Sequence, residues 1–163
     1  FGYSVSDIAL LYIINHLFNW AFAGRIGKLV GRIGERRSLT FEYCGLFCVF
    51  TAYAFVNDAT WAAGLYVLDH LFFSLAIAIK TYFQKIADPA DMASTAGVAF
   101  TINHIAAVVI PAMFGLVWLV SPMAVFLMGS AMALISLLLA RNIPLQPSSG
   151  NEVVIGKVAA AAL

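Results

Sequence analysis

The sequence predicts an all-α polytopic membrane protein, a bundle of five transmembrane helices, and three observations predict it. Hydrophobic residues make up 63% of the chain and charged residues only 10%, whereas about a quarter of a soluble domain is charged. The apolar residues gather into five runs, each close to the roughly 20 residues that cross a hydrocarbon core. All nine Lys and Arg residues fall on one side of those runs. A net charge of +1 leaves no basic surface for nucleic acid.

The first run, 8–24, follows a start of Phe1-Gly2-Tyr3 that has neither the basic stretch nor the cleavage site of a signal peptide and reads as the middle of something longer. The second, 39–56, contains Cys44 and Cys48, read as small packing residues on one helix face. Asn57-Asp58 is a turn signal that separates it from the third, 61–79. Asp88-Pro89-Ala90-Asp91 then reads as a helix start, with Asp88 as the cap and Pro89 in the first turn, for the fourth run, 95–120. Ser121-Pro122 breaks that run from the fifth, 122–140. The bundle thus occupies 1–144. Residues 145–163, rich first in Pro, Ser and Gly and then in Ala, read as a flexible cytoplasmic tail.

Arg25, Lys28, Arg32, Arg36 and Arg37 follow the first run, Lys80 and Lys85 the third, and Arg141 and Lys157 the fifth. The opposite side carries only Asp7 and Asp58. Basic residues stay on the cytoplasmic side during insertion. The basic loops and the C-terminus are therefore expected in the cytoplasm, with the bundle in the plasma (inner) membrane and an odd span count that one preceding helix would make even.

Between the first two runs stands Gly27-Lys28-Leu29-Val30-Gly31-Arg32-Ile33-Gly34-Glu35-Arg36-Arg37. It resembles the signature cytoplasmic loop of the major facilitator superfamily, whose pattern is Gly, three residues, Asp, Arg, one residue, Gly, then basic residues. Gly27, Leu29, Arg32, Gly34 and Arg36 match, while Gly31 stands at the Asp and Glu35 interrupts the basic pair. The resemblance covers about residues 4–144. It implies a conformational loop formed by Gly27, Gly31, Arg32, Gly34, Arg36 and Arg37, and helices eight to twelve of a twelve-helix fold, the C-terminal half. It further implies a partner, an N-terminal six-helix bundle in the same or another chain.

Polar residues at membrane depth are costly and mark working surfaces. Tyr12, Asn15, His16 and Asn19 form one stripe in the first run, Tyr66, Asp69, His70, Phe73 and Ser74 another in the third, and Thr101 and His104 share a face in the fourth with Asn103 beside it. Between Tyr43 and Val56 the second run has only Thr51 and the cysteines, and the fifth has only Ser130 and Ser136. In the superfamily the eighth, tenth and eleventh helices line the cavity and the ninth and twelfth support it, which is the division these stripes follow. Asp69 is the first candidate for a proton carrier. His70 beside it points about 100° away, so a partner on another helix is expected. His16, His70 and His104 are alternates, since imidazole titrates near neutral pH. Tyr12, Asn15, Asn19, Tyr66, Phe73, Ser74, Thr101 and Asn103 are candidates for the substrate cavity, and structural hydrogen bonding between helices is the competing role for the asparagines. Pro111 removes an amide donor and frees the Ala107 carbonyl, which with Gly115 makes either a flexing point or an ordinary packing kink.

No nucleotide loop, nucleophile–base pair or cofactor motif is found, so neither catalysis nor a cofactor is expected, and no resident metal is assigned. The resemblance implies secondary active transport of a small solute by alternating access, as proton-coupled symport or antiport. Two other readings stay open. Asp69 and the histidines offer the N and O ligands of a divalent-metal transporter, and a bundle lacking its other half could instead bind or stabilise a partner without transporting.

Cysteine labelling in intact cells should find positions near Arg32 and Lys85 cytoplasmic, with Asp58 and Ser121 outside. Cytoplasmic labelling at Asp58 would contradict the span count.

Overall fold

The computed structural model describes residues 2–156. Among them the chain forms α1 (Val5–Ile33), α2 (Glu35–Phe55), α3 (Ala59–Phe73), a 3-10 turn (Ser74–Ala76), α4 (Ile77–Ile86), α5 (Met92–Val120) and α6 (Pro122–Arg141), and no strand is present among the described residues. The segment from α3 through the 3-10 turn to α4 is one span, so five helical segments are long and apolar enough to cross a membrane, as the sequence predicts. In hydrocarbon a backbone amide finds no water, and a helix satisfies its hydrogen bonds internally.

Polar side chains start the helices where the sequence has turn signals. Ser4 Oγ accepts the Asp7 amide at 3.2 Å while Asp7 Oδ2 accepts the Ser4 amide at 2.9 Å, a reciprocal cap on α1. Asp58 Oδ1 accepts the Trp61 amide at 3.0 Å, and Ser121 Oγ accepts that of Ala124 at 3.2 Å ahead of Pro122. Asp88 does not cap α5. Its Oδ1 accepts the Ala90 amide at 2.8 Å, closing a turn around Pro89, and the helix begins only after Asp91.

The largest departure from expectation lies in the basic segment. Instead of a loop, α1 continues to Ile33 and α2 begins at Glu35, so Gly34 alone interrupts the helix. Arg and Lys are good helix formers, and they carry α1 past its apolar stretch. Gly34 has φ +83°, a conformation that L side chains rarely adopt, and its amide donates to the Val30 carbonyl at 2.9 Å. Gly27, Gly31 and Arg32 therefore lie on α1, Arg36 and Arg37 lie on α2, and one glycine is the joint.

The two helices expected to be peripheral form the most extensive pair. α2 runs against α6 and also touches α1, α3, the 3-10 turn and α4. Its buried residues Glu35, Ser38, Leu39, Glu42, Leu46 and Val49 recur at three- and four-residue steps. Against them stand small residues, Ala62 and Ala78 of the third span and Ser130, Ala133 and Ala140 of α6. Small side chains bring backbones close where lipid offers no hydrophobic drive. Thr51 Oγ1 and Ser130 Oγ lie 3.1 Å apart across the α2–α6 seam, and Tyr53 stacks on Phe126 at 4.8 Å. Gly45 of α2 is where α3 presses closest, because a Cβ there would collide with the Phe72 ring. Among the described residues Cys44 and Cys48 are exposed rather than packed between helices. Both are free thiols on the uncovered face of α2.

By contrast α5 leans on α6 and buries no residue. Residues 142–156, expected to belong largely to a flexible tail, fold back on the bundle. Asn142 Nδ2 donates to the Ile155 carbonyl at 3.1 Å, the Val154 amide donates to the Asn142 carbonyl at 2.8 Å, and the Tyr82 hydroxyl donates to the Glu152 carbonyl at 2.6 Å. The remainder of that tail, with Lys157, lies outside the described residues.

These glycines should separate in unfolding assays on detergent-solubilised protein. Gly34→Ala should cost about 1–2 kcal/mol through its backbone conformation, and Gly45→Ala about 1–3 kcal/mol through overpacking. Gly31→Ala, whose Cβ would meet open space, should be neutral or gain up to about 1 kcal/mol. Equal losses at all three would refute the assignment of Gly34 as the joint.

Candidate functional site

Where α1 crosses α3, the two polar stripes meet in part. Asn15 is 3% exposed, and both its amide atoms, like the Tyr66 hydroxyl, are buried without a hydrogen-bond partner among the described residues. A buried polar atom left unpaired costs about 1–3 kcal/mol. The Tyr66 ring lies edge-on to Tyr12 at 6.0 Å and 4.5 Å from His70. Asn15, Asn19 and His70 share a void of about 10 Å³ with Phe18, Val67 and Leu71, room for about one water molecule.

Asp69 lies on the other side of His70. Its Oδ2 is 3.4 Å from His70 Nδ1, which is also 3.0 Å from the Tyr66 carbonyl oxygen. Among the described residues the basic side chain within 4 Å of the carboxylate is thus the neighbouring histidine, rather than a group on another helix. Side chains on a helix lean toward its N-terminus, and that lean brings the ring back over Tyr66. Asp69, His70 and Phe73 line a cleft of about 460 Å³ whose other walls include Tyr43 and Phe50 of α2, Phe114 of α5 and Met132 of α6. Among the described residues Asp69 is its sole acidic lining residue, in an otherwise mainly apolar wall.

The remaining candidates do not join this cleft. His16 is exposed on α1, and Thr101, Asn103 and His104 are exposed on α5. Thr101 Oγ1 donates to the Gly97 carbonyl at 3.0 Å, and His104 Nδ1 lies 2.9 Å from the Phe100 carbonyl, so both turn back on their own helix. Ser74 opens the 3-10 turn, its hydroxyl donating to Leu71 O at 2.5 Å. α5 runs unbroken through Pro111 and Gly115. Among the described residues no three His, Cys, Asp or Glu side chains gather as metal ligands would.

Two further carboxylates stand outside the site residues that the sequence predicts. Glu35 pairs with Lys85 of α4 at 2.6 Å. Glu42, two turns further along α2, is 2% exposed, and its Oε2 has no hydrogen-bond partner among the described residues. The available signal was spacing. Glu35, Ser38 and Glu42 fall on the same stripe as Leu39, Leu46 and Val49, but a run counted from Leu39, with its polar residues counted from Tyr43, passes over both acids. Glu42 is the same kind of group as Asp69, a carboxylate within an apolar bundle.

Asn15→Leu should leave stability within about 1 kcal/mol or raise it, because an apolar side chain removes the unpaired amide. Asn15→Asp should lower it by about 3 kcal/mol. Denaturant unfolding in detergent checks both, and a clear loss in Asn15→Leu would mean that the amide has a partner.

No protein-family model matches the chain, and no solved structure matches it. The chain is similar to a protein of Methanocaldococcus jannaschii named as an uncharacterized MFS-type transporter, with 28% identity over 130 residues. That alignment covers 79% of this chain and 33% of the relative, so the chain spans about a third of the length of the curated relative it matches.

Proposed function

We propose that this chain is the C-terminal bundle of a major-facilitator-like secondary transporter, which moves a small solute by alternating access with protons as the coupling ion. The observation that carries the proposal is the uncovered polar surface on α1 and α5. His16, Thr101, Asn103 and His104 lie within apolar spans, yet the other described residues do not bury them. Polar side chains at membrane depth face protein or a water-filled cavity rather than lipid. A second helical bundle opposite α1 and α5 would supply both, with the solute at the interface. The likeness to a protein named as an MFS-type transporter points the same way.

In this scheme the basic end of the bundle is cytoplasmic and the membrane is the plasma (inner) membrane. Asp69 is the proton carrier, with His70 at 3.4 Å as its relay, and Glu42 is a second carboxylate able to hold a proton inside the bundle. Gly34 and its flanking arginines form the joint that accommodates rocking. Divalent-metal transport is less well supported, since His16 and His104 do not line the cleft of Asp69.

An amide keeps the shape of a carboxylate and cannot release a proton. Asp69→Asn, expressed in the full reading frame, should reach the membrane at normal level, lose proton-driven accumulation in vesicles by at least about 100-fold, at the scale of about 2.7 kcal/mol, and retain solute exchange. Accumulation with an unchanged pH profile would make Asp69 a structural hydrogen-bonding residue.

A further inference from the structure

A basic cleft opens where α2 starts and α6 stops. Arg36, Arg37, Thr40 and Phe41 of α2, Arg141 at the end of α6 and Leu145 just beyond enclose about 460 Å³. Among the described residues no carboxylate lines it. Among the described residues none of the three arginines makes a salt bridge, and Glu35, next to Arg36, is taken by Lys85. Three like charges around one cleft repel each other and concentrate anions. Guanidinium forks match the oxygens of a phosphate.

The cleft continues into apolar surface. On α2, Arg37, Phe41, Cys44 and Cys48 follow one another at steps of four and three residues along an uncovered face, and on α6 Arg141, Leu138 and Leu134 do the same. Phe41 is 63% exposed and Leu138 65%. Because α2 and α6 are packed antiparallel neighbours, the two stripes leave the charged end together and run into the depth of the span. A soluble anion would use only the arginines. A lipid would use both parts.

We propose that this cleft binds an anionic phospholipid, with its phosphate held by Arg36, Arg37 and Arg141 and an acyl chain along Phe41 and Leu138. Basic pockets at the ends of membrane helices hold lipid headgroups in this way. The site does not depend on what the protein transports.

The test uses purified protein in detergent with equal amounts of phosphatidylglycerol and phosphatidylcholine of identical acyl chains, and native mass spectrometry to read the bound lipid. The wild type should prefer phosphatidylglycerol. Arg37→Gln/Arg141→Gln should lower that preference roughly 25-fold, at roughly fivefold for each guanidinium. Both positions are exposed, and Leu145→Asp, which sets a carboxylate at the lip without removing an arginine, should act in the same direction. Arg25→Gln/Lys28→Gln, two charges on α1 outside the cleft, should leave the preference intact. Equal retention of the two lipids by the wild type would overturn the proposal, as would an equal loss in the α1 pair or no loss in either cleft variant. Displacement of phosphatidylglycerol by inorganic phosphate would overturn the lipid assignment in favour of a soluble anion.

Discussion

The bundle hangs on α2. It touches α1, both halves of the third span and α6, and its buried stripe is the surface against which the others are set. That stripe combines two kinds of contact. Leu39 packs with Ala78 and Ala140, and Leu46 and Val49 are buried further along the same stripe, while Glu35 is tied to Lys85 and Thr51 meets Ser130. In lipid the apolar contacts give little net drive, so close packing of small residues and interhelical polar bonds set which helices pair. α1 and α5, which lack comparable partners among the described residues, remain largely uncovered.

Polar groups are distributed accordingly. Hydroxyls at the supporting seams are satisfied locally, Thr40 on the Arg36 carbonyl at 2.7 Å and Thr51 on that of Phe47 at 2.7 Å. Such bonds let a hydroxyl sit in a span at little cost. The groups left with a buried unpaired atom among the described residues are Asn15, Tyr66, Glu42 and, at the oxygen that does not meet Lys85, Glu35. A bundle that buries unpaired polar atoms gives up stability there, and such cost is commonest where a protein works.

Much of this was legible in the sequence, for reasons specific to membranes. Span number followed from the runs of apolar residues, because length and hydropathy alone decide whether a helix crosses. The turns at Asp58 and Ser121 followed from capping chemistry. The continuous helix through Arg25–Ile33 did not, because charge suggested a loop while helix propensity is indifferent to which side of the interface a lysine occupies. The candidate site was half legible. Periodicity set Asn15 on one polar stripe and Tyr66, Asp69 and His70 on another, but it cannot tell which helices touch. His16 and His104 were therefore grouped with a carboxylate whose cleft they do not line. Glu42 was missed for a narrower reason. Its neighbours Tyr43 and Cys44 look apolar enough to hide one acid at the edge of a run.

The 3-10 turn at Ser74–Ala76 has a geometric consequence. An α-helix rotates about 100° per residue and a 3-10 helix about 120°, so three such residues add about 60° of rotation to the third span. A uniform α-helix would place Ala78 about 120° around the axis from Phe72, and the added rotation brings the two within about 60°. Phe72 is the ring that crowds Gly45 of α2, and Ala78 is fully buried in the cluster with Leu39 of the same helix. The irregular turn thus works as a phase correction that keeps both halves of one span facing one neighbour. Restoring regular helix there would force the span to surrender one contact or the other, that of Phe72 with Gly45 or that of Ala78 with Leu39.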